Sequence, residues 1–239
     1  MTAPRTEIFD DAEQFAARAA AWIAGLIAAK NGRFRIALTG GETPRALYRE
    51  LGARFRASVD WTKVEFFWGD ERFVPPESPA SNYRMARETL LAQISAPEGN
   101  IHPIPTGGAP DEAARSYEAT LKKAYGAASL DPARPLFDLV LLGLGDDGHI
   151  CSLLPGSPAL EERRRWAVAV TQGRPEARIT LTYPPVQASR VTAFLVAGEN
   201  KAKAVRSVRA GDLALPGARL QPEGELVWLL DRAAAGLIR

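Results

Sequence analysis

Short, largely apolar runs, each closed by a polar or glycine-rich loop, constrain this chain more than any other feature. They are Phe34–Leu38, Val64–Trp68, Phe137–Leu142, Ala167–Val170, Ile179–Leu181, Val191–Val196 and Leu226–Leu230. Helical patterns lie between several of them, at about 44–56, 82–94, 111–125 and 199–209. An earlier helix is marked by Phe15, Ala19, Trp22, Ile23, Leu26 and Ile27, with Asp10-Asp11 as a cap and Asn31-Gly32 as a stop. A strand that is apolar at nearly every position, rather than at alternate ones, must be covered on both faces. The pattern therefore predicts a three-layer α/β arrangement, a mostly parallel open sheet with helices on both faces. Ligands of such sheets sit beyond the carboxyl ends of the strands, so the loops that follow the strands are where chemistry is sought.

The chain shows no internal repeat, and its 239 residues are read as one domain, 1–239. The Pro/Gly-rich stretch Ala96–Pro110 is a long loop or hinge that Ile101 and Ile104 keep from being a disordered linker. With 30 Lys+Arg against 28 Asp+Glu, net charge +2, no wide basic surface for nucleic acid is expected. A single cysteine, Cys151, excludes an intrachain disulfide framework and fits a reducing compartment. Two histidines and one cysteine are too few for a closed zinc site. No apolar run approaches the ~20 residues of a membrane span, and Met1–Glu7 lacks the basic-then-apolar order of a secretory signal. A cytoplasmic protein is expected.

Phe34–Leu38 runs into Thr39-Gly40-Gly41-Glu42-Thr43-Pro44, after which a helix begins at Arg45-Ala46-Leu47-Tyr48. Thr43 is read as its N-cap and Pro44 as the first helical residue. The two glycines permit close backbone approach, and free amides at a helix start attract an anion, typically phosphate. A tight turn before a capped helix would use the same residues, and Glu42 counts against an anion.

Phe137–Leu142 leads into Gly143-Leu144-Gly145-Asp146-Asp147-Gly148, formally a G-x-G-x-x-G fingerprint. Its context is wrong. Two aspartates would repel a pyrophosphate, Pro155-Gly156 breaks the following segment, and Arg163, Arg164, Arg165 and Trp166 stand where a ribose-binding acid belongs. The loop instead offers Asp147-Gly148-His149, an imidazole that a nearby carboxylate can hold in one tautomer as a general base. The alternative is a histidine that only satisfies loop carbonyls. His102, without a carboxylate neighbour in sequence, is read as structural, and Cys151 as a small buried filler.

Val64–Trp68 ends at Gly69-Asp70-Glu71-Arg72, so an Asp70–Arg72 ion pair is expected at the mouth of the site, with Ser81 or Asn82 capping the next helix. Arg178 opens the strand Ile179–Leu181. Lys201 stands near a helix start, where a cation opposes the dipole and hints at a bound anion. Lys203, Arg206 and Arg209 on the same helix read as a solvated face.

Taken together, Leu38–Leu47 (LTGGETPRAL), Phe67–Asn82 (FWGDERFVPPESPASN), Phe137–Pro155 (FDLVLLGLGDDGHICSLLP), Arg178–Thr182 (RITLT) and Gly198–Ala202 (GENKA) resemble the 6-phosphogluconolactonase family, within the larger group that includes the glucosamine-6-phosphate deaminases. The resemblance implies a Rossmann-like version of the open sheet and hydrolysis of a phosphorylated sugar lactone by a monomer without metal or cofactor. It places His149 as the catalytic base, Asp147 as its orienting acid, Asp70 and Arg72 as an acid–arginine pair at the site, Gly40, Gly41 and Thr43 in the phosphate loop, and Arg178 and Lys201 as phosphate-facing cations. Glu42 departs from the family's usual serine, and Ile150-Cys151 from a common Thr-Ala. The deaminases carry an acid where this chain has Leu154 and an aromatic residue where it has Arg72, which argues against that activity. An amino-sugar-phosphate deaminase or isomerase, and a non-catalytic sugar-phosphate-binding regulator, are the alternatives on the same fold.

Overall fold

The computed structural model describes residues 4–238; Met1–Ala3, part of the segment read for a secretory signal, and Arg239 at the end of the expected domain lie outside the described residues. In chain order the elements are β1 (Arg5–Phe9), α1 (Ala12–Ala29), β2 (Phe34–Leu38), α2 (Glu42–Arg54), β3 (Val64–Trp68), β4 (Asp70–Arg72), α3 (Asn82–Thr89), α4 (Pro110–Tyr125), β5 (Phe137–Leu142), β6 (Ala167–Val170), β7 (Arg178–Leu181), α5 (Tyr183–Gln187), β8 (Ser189–Val196), α6 (Ala202–Arg209) and β9 (Glu225–Asp231). Six of the strands form a sheet in the order β1-β9-β8-β5-β2-β3, and every neighbouring pair is parallel.

All five residues of β3 and five of the six of β5 are buried. Because successive strand residues point to opposite faces, this burial means that both faces are covered, the three-layer arrangement read from the runs. Each large side chain removed from water there contributes about 1.5–3 kcal/mol, and the aromatic ones interlock, as where the Phe67 and Phe137 rings meet edge to face at 5.6 Å. His102 stacks on Phe67 at 4.6 Å, a packing role in line with its structural reading.

Strand order dictates where a ligand can enter. From β2 the chain moves outward to β3, then returns across to β5 and proceeds the other way to β8 and β9. The reversal falls between β2 and β5, which opens a crevice at their carboxyl ends. The loops there are residues 39–41 and 143–149.

Several expectations need correction. Ala167–Val170 and Ile179–Leu181 do not join the parallel sheet; they form a separate antiparallel sheet of order β4-β7-β6. An apolar run encodes burial but not its hydrogen-bonding partner. Gly69 is the joint between the sheets: its amide donates to Leu38 O at 2.8 Å, while its carbonyl accepts from Leu181 N at 2.8 Å. A Cβ there would lie 2.9 Å from Cys151 Sγ, so glycine is required by close approach. Strands β1, with alternating Arg-Thr-Glu-Ile-Phe, and β4, only three residues long, have no apolar run to announce them. The helix expected over 82–94 stops at Thr89, followed by a 3₁₀ turn at Leu91–Gln93. The Ala96–Pro110 connection is ordered through a parallel bridge from Ile101 to Phe66 and the buried Ile104. Among the described residues no helix is long and apolar enough to cross a membrane.

Candidate active site

The crevice at the strand-order reversal is a cleft of about 410 Å³. Gly40, Gly41, Thr43, Asp70, Arg72, His149, Arg178 and Lys201 all line it; Asp147 stands behind His149.

On the β2 side, the loop is pinned by Tyr48, whose hydroxyl accepts from Thr39 N and donates to Thr39 O, both at 3.0 Å. The helix begins earlier than expected. Gly41, at φ 111°, is the N-cap of α2, which leaves Thr43 as the second helical residue rather than the cap and Pro44 as the third rather than the first. The left-handed region costs glycine little, so the chain can turn into the helix without a capping side chain. Among the described residues no side chain bonds the first-turn amides, so the anion-attracting feature is stronger than a Thr43 cap would have left it. Glu42 turns its carboxylate to Arg45 Nε at 3.1 Å. Gly40 is tightly enclosed: a Cβ would lie 1.9 Å from Asn82 Oδ1.

On the β5 side the chain folds back on itself. Gly145 N donates to His149 O and Gly148 N to Gly145 O, both at 2.9 Å. No helix follows; the next element is a 3₁₀ turn at Pro158–Glu161, in keeping with the rejected dinucleotide reading. The turn brings His149 Nδ1 to 2.5 Å from Asp147 Oδ1. An ionised carboxylate only accepts, so Nδ1 carries the hydrogen. Partial burial pushes the Asp147 carboxyl up, but hydrogen bonds from His149 and Arg174 and the attraction of the ring outweigh it and hold the group below its usual range. The His149 side chain is 27% exposed, on the cleft wall.

The small sheet supplies the third wall. The expected Asp70–Arg72 ion pair does not form, because each side chain has a partner of its own. Asp70 Oδ2 accepts from Ser152 Oγ at 2.6 Å and Oδ1 from Asn82 Nδ2 at 3.3 Å, whereas Arg72 Nη1 donates to Ala80 O at 2.5 Å. Arg72 instead faces Arg178 across the antiparallel β4–β7 pair. Burial, then the Arg72 charge, pull the Arg178 guanidinium below its usual range against the pull of Asp70 and Glu176. Arg178 Nε is buried without a hydrogen-bond partner among the described residues. Two guanidiniums opposed on adjacent strands, one with an unmet donor, make a wall that favours an anion. Lys201 ends the 3₁₀ turn Glu199–Lys201 and pairs with Asp146 Oδ1 at 2.6 Å, so a protein carboxylate already answers the charge that the sequence placed against the helix dipole.

Four residues in or behind this site were not singled out as functional in the sequence. Arg174 reaches Asp147 from the loop between β6 and β7, and Ser152 and Asn82 hold Asp70. Glu71, almost wholly buried, accepts from Asn82 N and Tyr83 N at 2.7 Å, Arg72 N at 2.8 Å and Ser81 Oγ at 3.0 Å. It thereby ties the start of α3 to β4, while Ser81 is the N-cap. Cys151, at φ 50°, lines the cleft; burial, with the Asp70 charge, raises its thiol well above the usual range, so a nucleophilic thiolate is disfavoured.

Fold and cleft together define a class: open parallel α/β proteins that gather an acid–imidazole pair and a cationic helix terminus at the reversal of strand order. Residues 10–228 match the family described as glucosamine-6-phosphate isomerases/6-phosphogluconolactonase, and the chain belongs to it. Among its relatives, a 6-phosphogluconolactonase of Nostoc sp. is 44% identical over 86% of this chain and 85% of its own length. That of Mycobacterium tuberculosis is 42% identical over 96% of each. The solved 6-phosphogluconolactonase of Trypanosoma brucei superposes with a TM-score of 0.82 at 29% identity, covering 100% of both chains.

Proposed function

We propose that this protein hydrolyses 6-phospho-D-glucono-1,5-lactone to 6-phospho-D-gluconate, acting as a single-domain cytoplasmic monomer. One observation carries the reading: the ring of His149, backed by Asp147, opens into the same cleft as the uncapped start of α2 and the cations Arg72, Arg178 and Lys201. The relatives named 6-phosphogluconolactonase supply the substrate class.

Nδ1 of His149 is engaged by Asp147, which leaves Nε2 to take a proton from water. The water oxygen bonds to the lactone carbonyl carbon, and the carbonyl oxygen takes up negative charge that Arg72 steadies. The bond from that carbon to the ring oxygen then breaks, and the imidazolium returns its proton to the departing oxygen. Amides of the Gly40–Thr43 loop, with Arg178 and Lys201, hold the phosphate and so set the carbonyl beside the base.

The test is a coupled assay in which the lactone is generated freshly, because such lactones also open spontaneously. Faster disappearance with protein than without supports the reading. No acceleration, together with ammonia release from glucosamine 6-phosphate, would replace it with the deaminase alternative, and binding without either turnover would favour a regulator.

A further inference from the structure

We propose that Arg174 is a positioning residue for this reaction: its guanidinium fixes the plane of the Asp147 carboxylate that orients the His149 ring, and keeps a positive charge against the inner ring nitrogen. The inference rests on the reading of His149 as the base. Arg174 belongs to the loop between β6 and β7, where Gly173, at φ 82°, packs so closely on Leu154 that a Cβ would sit 3.2 Å from its Cδ1. Arg174 Nη2 lies 2.8 Å from Asp147 Oδ2 and 3.3 Å from His149 Nδ1. The two carboxylate oxygens thus have separate partners, Oδ1 the imidazole and Oδ2 the guanidinium. A carboxylate held at one oxygen can rotate; held at both, it cannot, and the ring bonded to it inherits that orientation.

An exposed arginine–carboxylate pair is ordinarily worth little. This one differs because the same nitrogen also touches the ring. Arginine has no acceptor and the carboxylate no donor, so the Nδ1 hydrogen belongs to Asp147 and the Arg174 contact is one of charge. When Nε2 takes a proton, Asp147 favours the resulting cation and Arg174 opposes it. The proton is then more readily passed on to the departing oxygen. The other charged groups around the cleft are Arg72, Asp70 and Arg178 on the small sheet, Glu176 beside Arg178, Glu42 at the start of α2, and the Lys201–Asp146 pair beyond. All of them stay in place when Arg174 is changed.

The experiment compares Arg174→Gln and Arg174→Lys with wild type by kcat, KM and the imidazole NMR signals at one pH, which two histidines make simple to assign with a His149→Ala control. Arg174→Gln is expected to lower kcat about tenfold or more with KM within about threefold. The His149 imidazole signals should shift and broaden as the ring loses its fixed orientation. Arg174→Lys should restore the imidazole signals and kcat only in part, since an ammonium on a shorter, flexible stem does not reproduce the placement of Nη2 against both Oδ2 and Nδ1. Unmoved imidazole signals with unchanged kcat, or a fall in thermal stability alone, would overturn the proposal. Wild-type turnover in His149→Ala would overturn instead the reading of the base, and the two failures are told apart by that control.

Discussion

Gly145 gives the sharpest perturbation of the dyad that removes no charged group. A Cβ there would lie 2.0 Å from His149 Nδ1, 2.2 Å from Cε1 and 2.6 Å from Asp147 Oδ1. Real contacts of this kind stay above about 3 Å, so Gly145→Ala forces the ring to retreat by about 1 Å or the loop to open. A displacement of about 1 Å at a reacting group costs about 100-fold in rate, equivalent to about 2.7 kcal/mol of barrier. The cationic wall is untouched, so KM should stay within about threefold while kcat falls by about two decades. Steady-state kinetics on freshly generated lactone, corrected for spontaneous opening, measure both. A useful control is Gly25→Ala in the middle of α1, where a Cβ would meet nothing within 4 Å. It should keep full activity and gain up to about 1 kcal/mol from helix propensity. If Gly145→Ala retained kcat within about twofold of wild type, the argument that the turn exists to seat the ring against Asp147 would fail.

Three further outcomes are expected. Lys201→Ala should raise KM about tenfold or more with little change in kcat, and an unchanged KM would remove Lys201 from the phosphate site. Glu71→Gln should destabilise the fold by about 1–3 kcal/mol, because its amide group presents donors to backbone amides that need an acceptor. The pH dependence has a definite sign: burial raises the Glu71 carboxyl above its ordinary 4.5 despite the hydrogen bonds it accepts. The folded protein therefore holds that proton to higher pH than the unfolded chain, so this group's contribution to stability is lost as pH rises from about 4.5 through the folded value. The wild-type-minus-variant difference in unfolding free energy should narrow over that interval, and a widening difference would contradict the assignment.

What could be read from the sequence was whatever local composition decides. The buried strands β3 and β5 announce themselves because burial on both faces leaves each a single polar residue, Glu65 and Asp138, and the residues just past such strands could then be named as the site. What stayed hidden depends on partners distant in the chain. Arg174 is 27 residues from Asp147 and sits in a polar loop with no periodicity. Asp70 and Arg72 looked like an ion pair until Ser152, 82 residues away, and Ala80 claimed them. The opposition of Arg72 and Arg178 requires knowing that β4 pairs with β7, and a three-residue strand carries no such signal. The misplaced cap has a local cause. Threonine before proline is a conventional helix start, but glycine with a positive φ does the same work two residues earlier and leaves the amides free.

The central claim is that the imidazole of His149 supplies the proton transfers while a separate cationic wall holds the substrate. His149→Ala tests it directly, with turnover of fresh lactone measured alongside calorimetric affinity for 6-phosphogluconate. The account predicts turnover reduced to near the spontaneous rate with product affinity within about threefold of wild type. Wild-type-like turnover, or loss of affinity in step with loss of rate, would contradict it.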